Sequence, residues 1–223
     1  MKYFIIFLGL YVLTCCTYKP KEKRLTKFNK SSGQITKSFY KKENDTIVFK
    51  RILLNESRIT LQEGQIYLGE YELTHQRLVN VRYFNNDNRI IDSLISSISN
   101  EGLKEKFVDQ KDVMFIQIVP DSTMGNIEAL GFLNLRQEIE EKIDDRLKNE
   151  NLGEWFAGDM GAGGNMLFFI NDWDNATVAV IQILNKEKLI DHILIAKRIM
   201  TTKDDWNYEI VFPLDYEGEF NDM

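Results

Sequence analysis

The chain has 223 residues, 43% of them hydrophobic and 12% aromatic, with only three prolines. That composition excludes a disordered chain and fits one large domain or two small ones. The formal charge of −6 is unevenly placed: residues 1–42 carry ten basic side chains against Glu22 alone, whereas residues 107–223 carry ten basic and 23 acidic ones. A surface so acidic over its second half repels phosphate backbones and argues against nucleic acid as a partner.

In chain order, Met1-Lys2 precedes an apolar run from Tyr3 to Leu13, then Thr14-Cys15-Cys16. The run is about half the roughly 20 residues that span a bilayer, and its order of positive charge, short apolar core and small residues is that of a secretory signal. Leu13-Thr14-Cys15-Cys16 resembles the lipobox of bacterial lipoproteins, with Leu13 at the branched apolar position and Cys15 where Gly, Ala or Ser is usual. The resemblance implies a signal peptide over 1–15, lipidation of Cys16, and anchoring to a membrane of the bacterial cell envelope. Cys15 and Cys16 are the only cysteines, so the mature body has no thiol for a disulfide or a Cys-based metal site. Residues 16–33 follow as a tether bearing Lys19, Lys21, Lys23, Arg24, Lys27 and Lys30.

Residues 34–106 read as a β-rich domain. Alternating apolar and polar residues predict strands over Gln34–Tyr40, Thr46–Leu53, Ser57–Gln62, Gln65–Leu73 and Leu78–Tyr83, with turns at Asn44-Asp45, Asn55-Glu56 and Glu63-Gly64. Gly33-Gln34-Ile35 recurs as Gly64-Gln65-Ile66, as if a hairpin were duplicated in an antiparallel meander. Ile90, Ile91, Leu94, Ile95 and Ile98 then fall at helical spacing, predicting a short helix over 89–99.

Residues 107–223 alternate strand and helix patterns. A strand over 113–119 precedes a helix over 126–149 with Phe132, Leu135, Ile139, Ile143 and Leu147 on one side. A strand near 154–157, a Gly-rich turn and a strand over 165–170 follow. Asp172 is placed to cap a helix over 173–185 with Trp173, Ala176, Thr177, Val180, Ile181 and Leu184 inward. Strands over 190–200 and 208–212 complete the order. The expected fold is α+β: an antiparallel β-meander with a short helix, then a ferredoxin-like βαββαβ sandwich with an extra C-terminal strand.

Residues 153–165 hold five of the 13 glycines. Glycines permit close backbone approach and positive φ, so this loop could present N–H groups or enclose a partner's side chain. It lacks the Gly-Lys-Ser/Thr ending of a phosphate loop, and a wide hairpin with glycine bulges is its plainer meaning. Trp155, Gly158, Asp159, Gly161, Gly163, Gly164 and Asn165 are nevertheless the first candidates for a binding surface. Asp172, Asp204, Asp205 and Trp206, from two acidic-aromatic clusters, are the second. No serine elbow, His-x-x-x-His or Cys-His constellation is present, so no catalytic residue, metal ligand or cofactor is assigned. The expected function is a lipid-anchored envelope protein acting as a non-enzymatic protein-binding module. Its specific form is immunity-type neutralisation of a basic partner attracted by the acidic half. The alternative is a hydrolase of envelope glycans or peptides using Asp159 with Asp172, Asp204 or Asp205.

Overall fold

A computed structural model describes residues 34–68, 73–119, 126–160 and 163–221. The lipobox-like segment with Cys16, the basic tether and Gly161 lie outside these residues. Two antiparallel sheets and three α-helices form a mixed α+β fold. In the first sheet, β1 (Gln34–Glu43), β2 (Thr46–Leu54), β3 (Arg58–Leu68) and β4 (Leu73–Asn85) make the expected meander, and β10 (Gly218–Asn221) adds outside β4. Asn44 turns the first hairpin at φ 55°, a left-handed conformation that Asn tolerates.

Strand alternation gives this sheet two buried faces. On one, α1 (Asn88–Asn100), capped by the Asp87 side chain, lays its isoleucine and leucine stripe over Phe39, Ile52, Ile59 and Leu61. On the other, Tyr40, Ile47, Phe49 and Ile66 pack with Ile199 of the second sheet.

One expected turn is strand interior. Glu63-Gly64 lies within β3, at a bulge where β4 carries an extra residue, so residues 58–62 and 65–68 of two expected strands belong to a single element. Gly64 is required by packing rather than by a turn: a Cβ there would stand 2.3 Å from the Phe49 ring and 2.7 Å from the Arg77 carbonyl oxygen. Gly64-Gln65-Ile66 therefore sits in mid-strand, whereas Gln34-Ile35 opens β1, and the two segments are not copies of one hairpin.

The second sheet comprises β5 (Asp112–Ile118), β6 (Gly153–Asp159), β7 (Gly164–Ile170), β8 (Ile193–Met200) and β9 (Trp206–Phe212), in the order β6-β7-β5-β8-β9. Helices α2 (Asn126–Asn149) and α3 (Trp173–Lys186) cover one face. Ile139, Ile143 and Leu147 of α2 and Ala176, Val180 and Leu184 of α3 meet Met114, Ile116, Met166 and Phe168 there. Each of these buried side chains larger than alanine contributes about 1.5–3 kcal/mol. Residues 190–192 form a short 3₁₀ turn instead of opening β8, which leaves His192 exposed. The opposite face carries Phe115, Leu167, Leu194 and Tyr208 under Tyr216 and Phe220.

β10 lies beyond the last expected strand, over 208–212. Phe220 supplies the missing reason. It packs against Phe115 and Tyr208, and in doing so brings its strand onto β4 of the other sheet.

The two sheets also meet through polar groups. The Gln76 side chain accepts from the Ile210 N–H at 2.8 Å, while Arg51 Nη1 donates to the Ile210 carbonyl at 2.9 Å. Arg51 and Glu209 are both fully buried, their Nε and Oε1 3.5 Å apart, and the Tyr40 hydroxyl donates to Glu209 Oε2 at 2.6 Å. Burial holds the Tyr40 hydroxyl well above its ordinary pKa, and the Glu209 charge and hydrogen bond reinforce this. A group whose folded pKa is raised adds stability that is fully present below its unfolded value, here about 10, and is lost as pH rises towards the folded value. We expect alkaline unfolding to steepen above about pH 10 and Tyr40→Phe to flatten that limb in pH-dependent denaturant titrations. An unchanged alkaline limb would contradict the assignment.

Candidate functional site

The Gly-rich hairpin between β6 and β7 is shaped by what crosses it. The Arg136 side chain from α2 lies over both strands, its Nη1 donating to the Asn165 carbonyl at 3.2 Å and its Nη2 2.8 Å from Glu140 Oε2. A Cβ on Gly158 would come within 2.7 Å of Arg136 Nη1 and 2.6 Å of the Asn165 carbonyl oxygen, and one on Gly164 would meet Arg136 Cγ at 3.0 Å. A Cβ on Gly163 would likewise stand 2.7 Å from the Ile118 carbonyl oxygen. These three glycines let a helix side chain and a neighbouring strand approach the backbone.

Asn165 is fully buried and central to a chain of side chains across three strands. Gln117 Nε2 donates to Asn165 Oδ1 at 3.0 Å, and Asn165 Nδ2 donates to Asp159 Oδ1 at 2.8 Å. Asp159 and Asn165 thus brace the hairpin.

Trp155 is different. It stands 39% exposed on β6, beside α2. Its backbone N–H donates to Asp144 Oδ1 at 2.8 Å, and its side chain hydrogen-bonds Glu140. Burial pushes the Glu140 carboxyl up, opposed by Arg136 and that hydrogen bond, while the nearby Asp144 and Glu141 charges push it further up. The cations of this region are engaged: Lys142 with Glu138 and Glu187, Arg146 with Glu150, Lys148 with Asp144. Glu141 and Asp145 are exposed and have no ion pair among the described residues. An aromatic side chain beside surplus carboxylates is an arrangement suited to a cationic surface.

The remaining candidates do not join it. Asp172 caps α3, its Oδ1 accepting from the Asn175 N–H at 3.1 Å, and the hydrogen bonds from Asn175 hold its carboxyl below the ordinary value. Asp205 accepts from the Thr201 hydroxyl and pairs with Lys42 of β1 at 3.2 Å, which ties the β8–β9 turn to the first sheet. Asp204 is exposed in that turn, and Trp206 holds the Arg198 guanidinium 4.9 Å from its ring centre.

Asp159 pairs with Asn165 near the start of β7, whereas Asp172 follows its end at Ile170. That length of strand is about 20 Å. Glycosidase carboxylates lie within roughly 10 Å of each other, so Asp159 and Asp172 cannot form such a pair.

Asp172 instead borders a cleft of about 280 Å³ between β1 and the start of α3, with Lys37, Asp112, Trp173, Asp174 and Lys197. Lys197 Nζ sits 4.8 Å from the Trp173 ring centre and 3.4 Å from Asp112 Oδ1, and Lys106 Nζ reaches the same oxygen at 3.2 Å. The charges there neutralise one another across the seam between the sheets.

Sequence spacing could have flagged Glu141 and Asp145, which are four apart on the helix surface and outside the ion pairs. The cleft has no such signal, because its residues come from six separate segments. Comparison with family models, with curated proteins and with solved structures finds no match to this chain.

Proposed function

We propose that this protein is a lipid-anchored protein of a bacterial envelope and a non-enzymatic binding module for a basic protein. The reading rests on exposed Trp155, which touches Glu140 and Asp144 of α2, and on the exposed Glu141 and Asp145 of the same helix, which have no ion pair among the described residues. An aromatic anchor gives a partner a desolvated contact, and the surrounding carboxylates steer a cationic surface to it. Immunity-type neutralisation of a basic toxin is the specific form. The lipobox-like Leu13-Thr14-Cys15-Cys16 and the basic tether support an anchored location, with Cys16 as the lipidated residue. The helix-covered half takes a ferredoxin-like arrangement: β6-β7-β5-β8 is the strand order of two interleaved βαβ units, and β9 extends its edge.

A photocrosslinker in place of Trp155 tests the binding face in intact cells. The expected result is one basic protein captured there and none from Val178, an exposed position on α3. Glu141→Lys with Asp145→Lys is expected to reduce the capture more than tenfold, on the order of the effect of reversing two steering charges. Equal capture from both positions, or none from Trp155, would count against the reading. In the same cells a fatty-acid analogue should label the parent chain and not Cys16→Ser.

A further inference from the structure

Unpaired strand edges invite other strands, and most edges in this molecule are closed. β9 has its Ile210 N–H and carbonyl taken by Gln76 and Arg51. The Trp155 N–H of β6 is bonded to Asp144. β1 exchanges two backbone hydrogen bonds with Lys104 through Tyr40, at 2.7 and 2.9 Å, and carries Lys37, Lys41 and Lys42. The exception is β4. β10 pairs only with its residues 73–76, and residues 77–85 have no second strand among the described residues. Val79, Val81 and Tyr83, at alternate positions of this stretch, are 63%, 36% and 61% exposed.

We propose that residues 79–83 of β4, from the bulge residue Val79 onward, pair antiparallel with the same segment of a second copy of this chain, about a two-fold axis at Val81. The segment is self-complementary in that register. Val81 opposes Val81, and Val79 opposes Tyr83 of the second copy, a β-branched residue against an aromatic one as antiparallel pairs favour. The only charged side chain in the segment is Arg82, and it opposes Asn80. Asn80 and Arg82 are already held by Glu63, at 2.8 and 3.1 Å, so both arrive oriented.

Neighbouring registers are worse. A centre at Arg82 sets two guanidinium groups against each other, and a centre at Asn80 sets Arg82 against Leu78. The pairing is isologous, so it closes as a dimer and does not propagate into a fibre. It uses neither Trp155 nor the acidic face of α2, and stands or falls separately from them.

Sedimentation velocity of the full chain in detergent tests the proposal. The parent chain is expected to show a monomer–dimer equilibrium that Val81→Lys, which opposes two ammonium groups at the axis, weakens by more than about tenfold with an unchanged circular-dichroism spectrum. Directly opposed antiparallel residues have Cα atoms about 4.5–5.5 Å apart, within disulfide range. Val81→Cys should therefore form a crosslinked dimer beyond any seen in the parent chain, and Val79→Cys, whose counterpart is Tyr83, should not. A monomer at every concentration, a dimer indifferent to Val81→Lys, or equal crosslinking at 79 and 81 would overturn the proposal.

Discussion

Replacing Arg51 by Met is expected to destabilise the protein by about 3–5 kcal/mol, the cost of leaving a buried charge without its counter-ion. Arg51 and Glu209 have no exposed side-chain surface, and they join strands of different sheets. The guanidinium also donates to the Ile210 carbonyl and lies 4.8 Å from the centre of the Phe49 ring. Burial lowers the Arg51 pKa, against the opposing pull of Glu209 and Tyr40, yet a guanidinium stays charged throughout the ordinary pH range. Removal of Arg51 alone strands the Glu209 carboxylate, which still accepts from Tyr40 but has lost its cation. Glu209→Gln in the Arg51→Met background should recover about half of the loss or more, because the stranded charge disappears with it. Denaturant titrations of the two single variants and the double variant measure this coupling. Additive losses would show that the pair acts as two independent residues.

Gly64→Ala is expected to cost about 2–3 kcal/mol, at the upper end for an overpacked core site. Adding a methyl group to a strand normally strengthens it, so propensity alone predicts the opposite sign. The new Cβ would overlap the Phe49 ring on one side and the Arg77 carbonyl on the other, and Phe49 is itself completely buried. A ring in a closed core cannot swing away. The neighbouring strand must then move at a position where a bulge already disturbs its register. Phe49→Leu, destabilising alone through the space it leaves, should cost less in the Gly64→Ala background than in the parent. Thermal unfolding of the four variants reads the cycle; a Gly64→Ala protein as stable as the parent would contradict the packing account.

The amphipathic elements were legible in the sequence because each is set by local periodicity. The isoleucine stripe of α1, the inward row Ile139, Ile143 and Leu147, and the Asp172 cap with its helix all rest on residues within a few positions of one another. The Gly-rich hairpin was legible as a hairpin. Arg136, the side chain that makes two of its glycines necessary, comes from a helix that ends before the hairpin begins, and no local pattern points to it.

Site residues followed the same division. Trp155 was recognisable as an unusual residue, but its acidic surroundings depend on how α2 lies along β6. Asp172, Asp204 and Asp205 looked like a group with Asp159 because acidic-aromatic clusters recur in the sequence. β7 separates Asp159 from Asp172 by its full length, while Thr201 and Lys42 bind Asp205 into a turn.

By itself the sequence determined the three helices and most of the strands, which faces of them are apolar, and where charge of each sign accumulates. Those properties follow from side chains that are neighbours along the chain. Tertiary structure alone decided that Gly64 is strand interior, that the C-terminal tail returns as a strand of the first sheet, and that Arg51, Glu209 and Tyr40 meet away from water. These depend on contacts between residues up to 169 positions apart, as in the Tyr40–Glu209 hydrogen bond. Their energy comes from excluding water around that contact, which no stretch of sequence can do until the sheets have closed on each other.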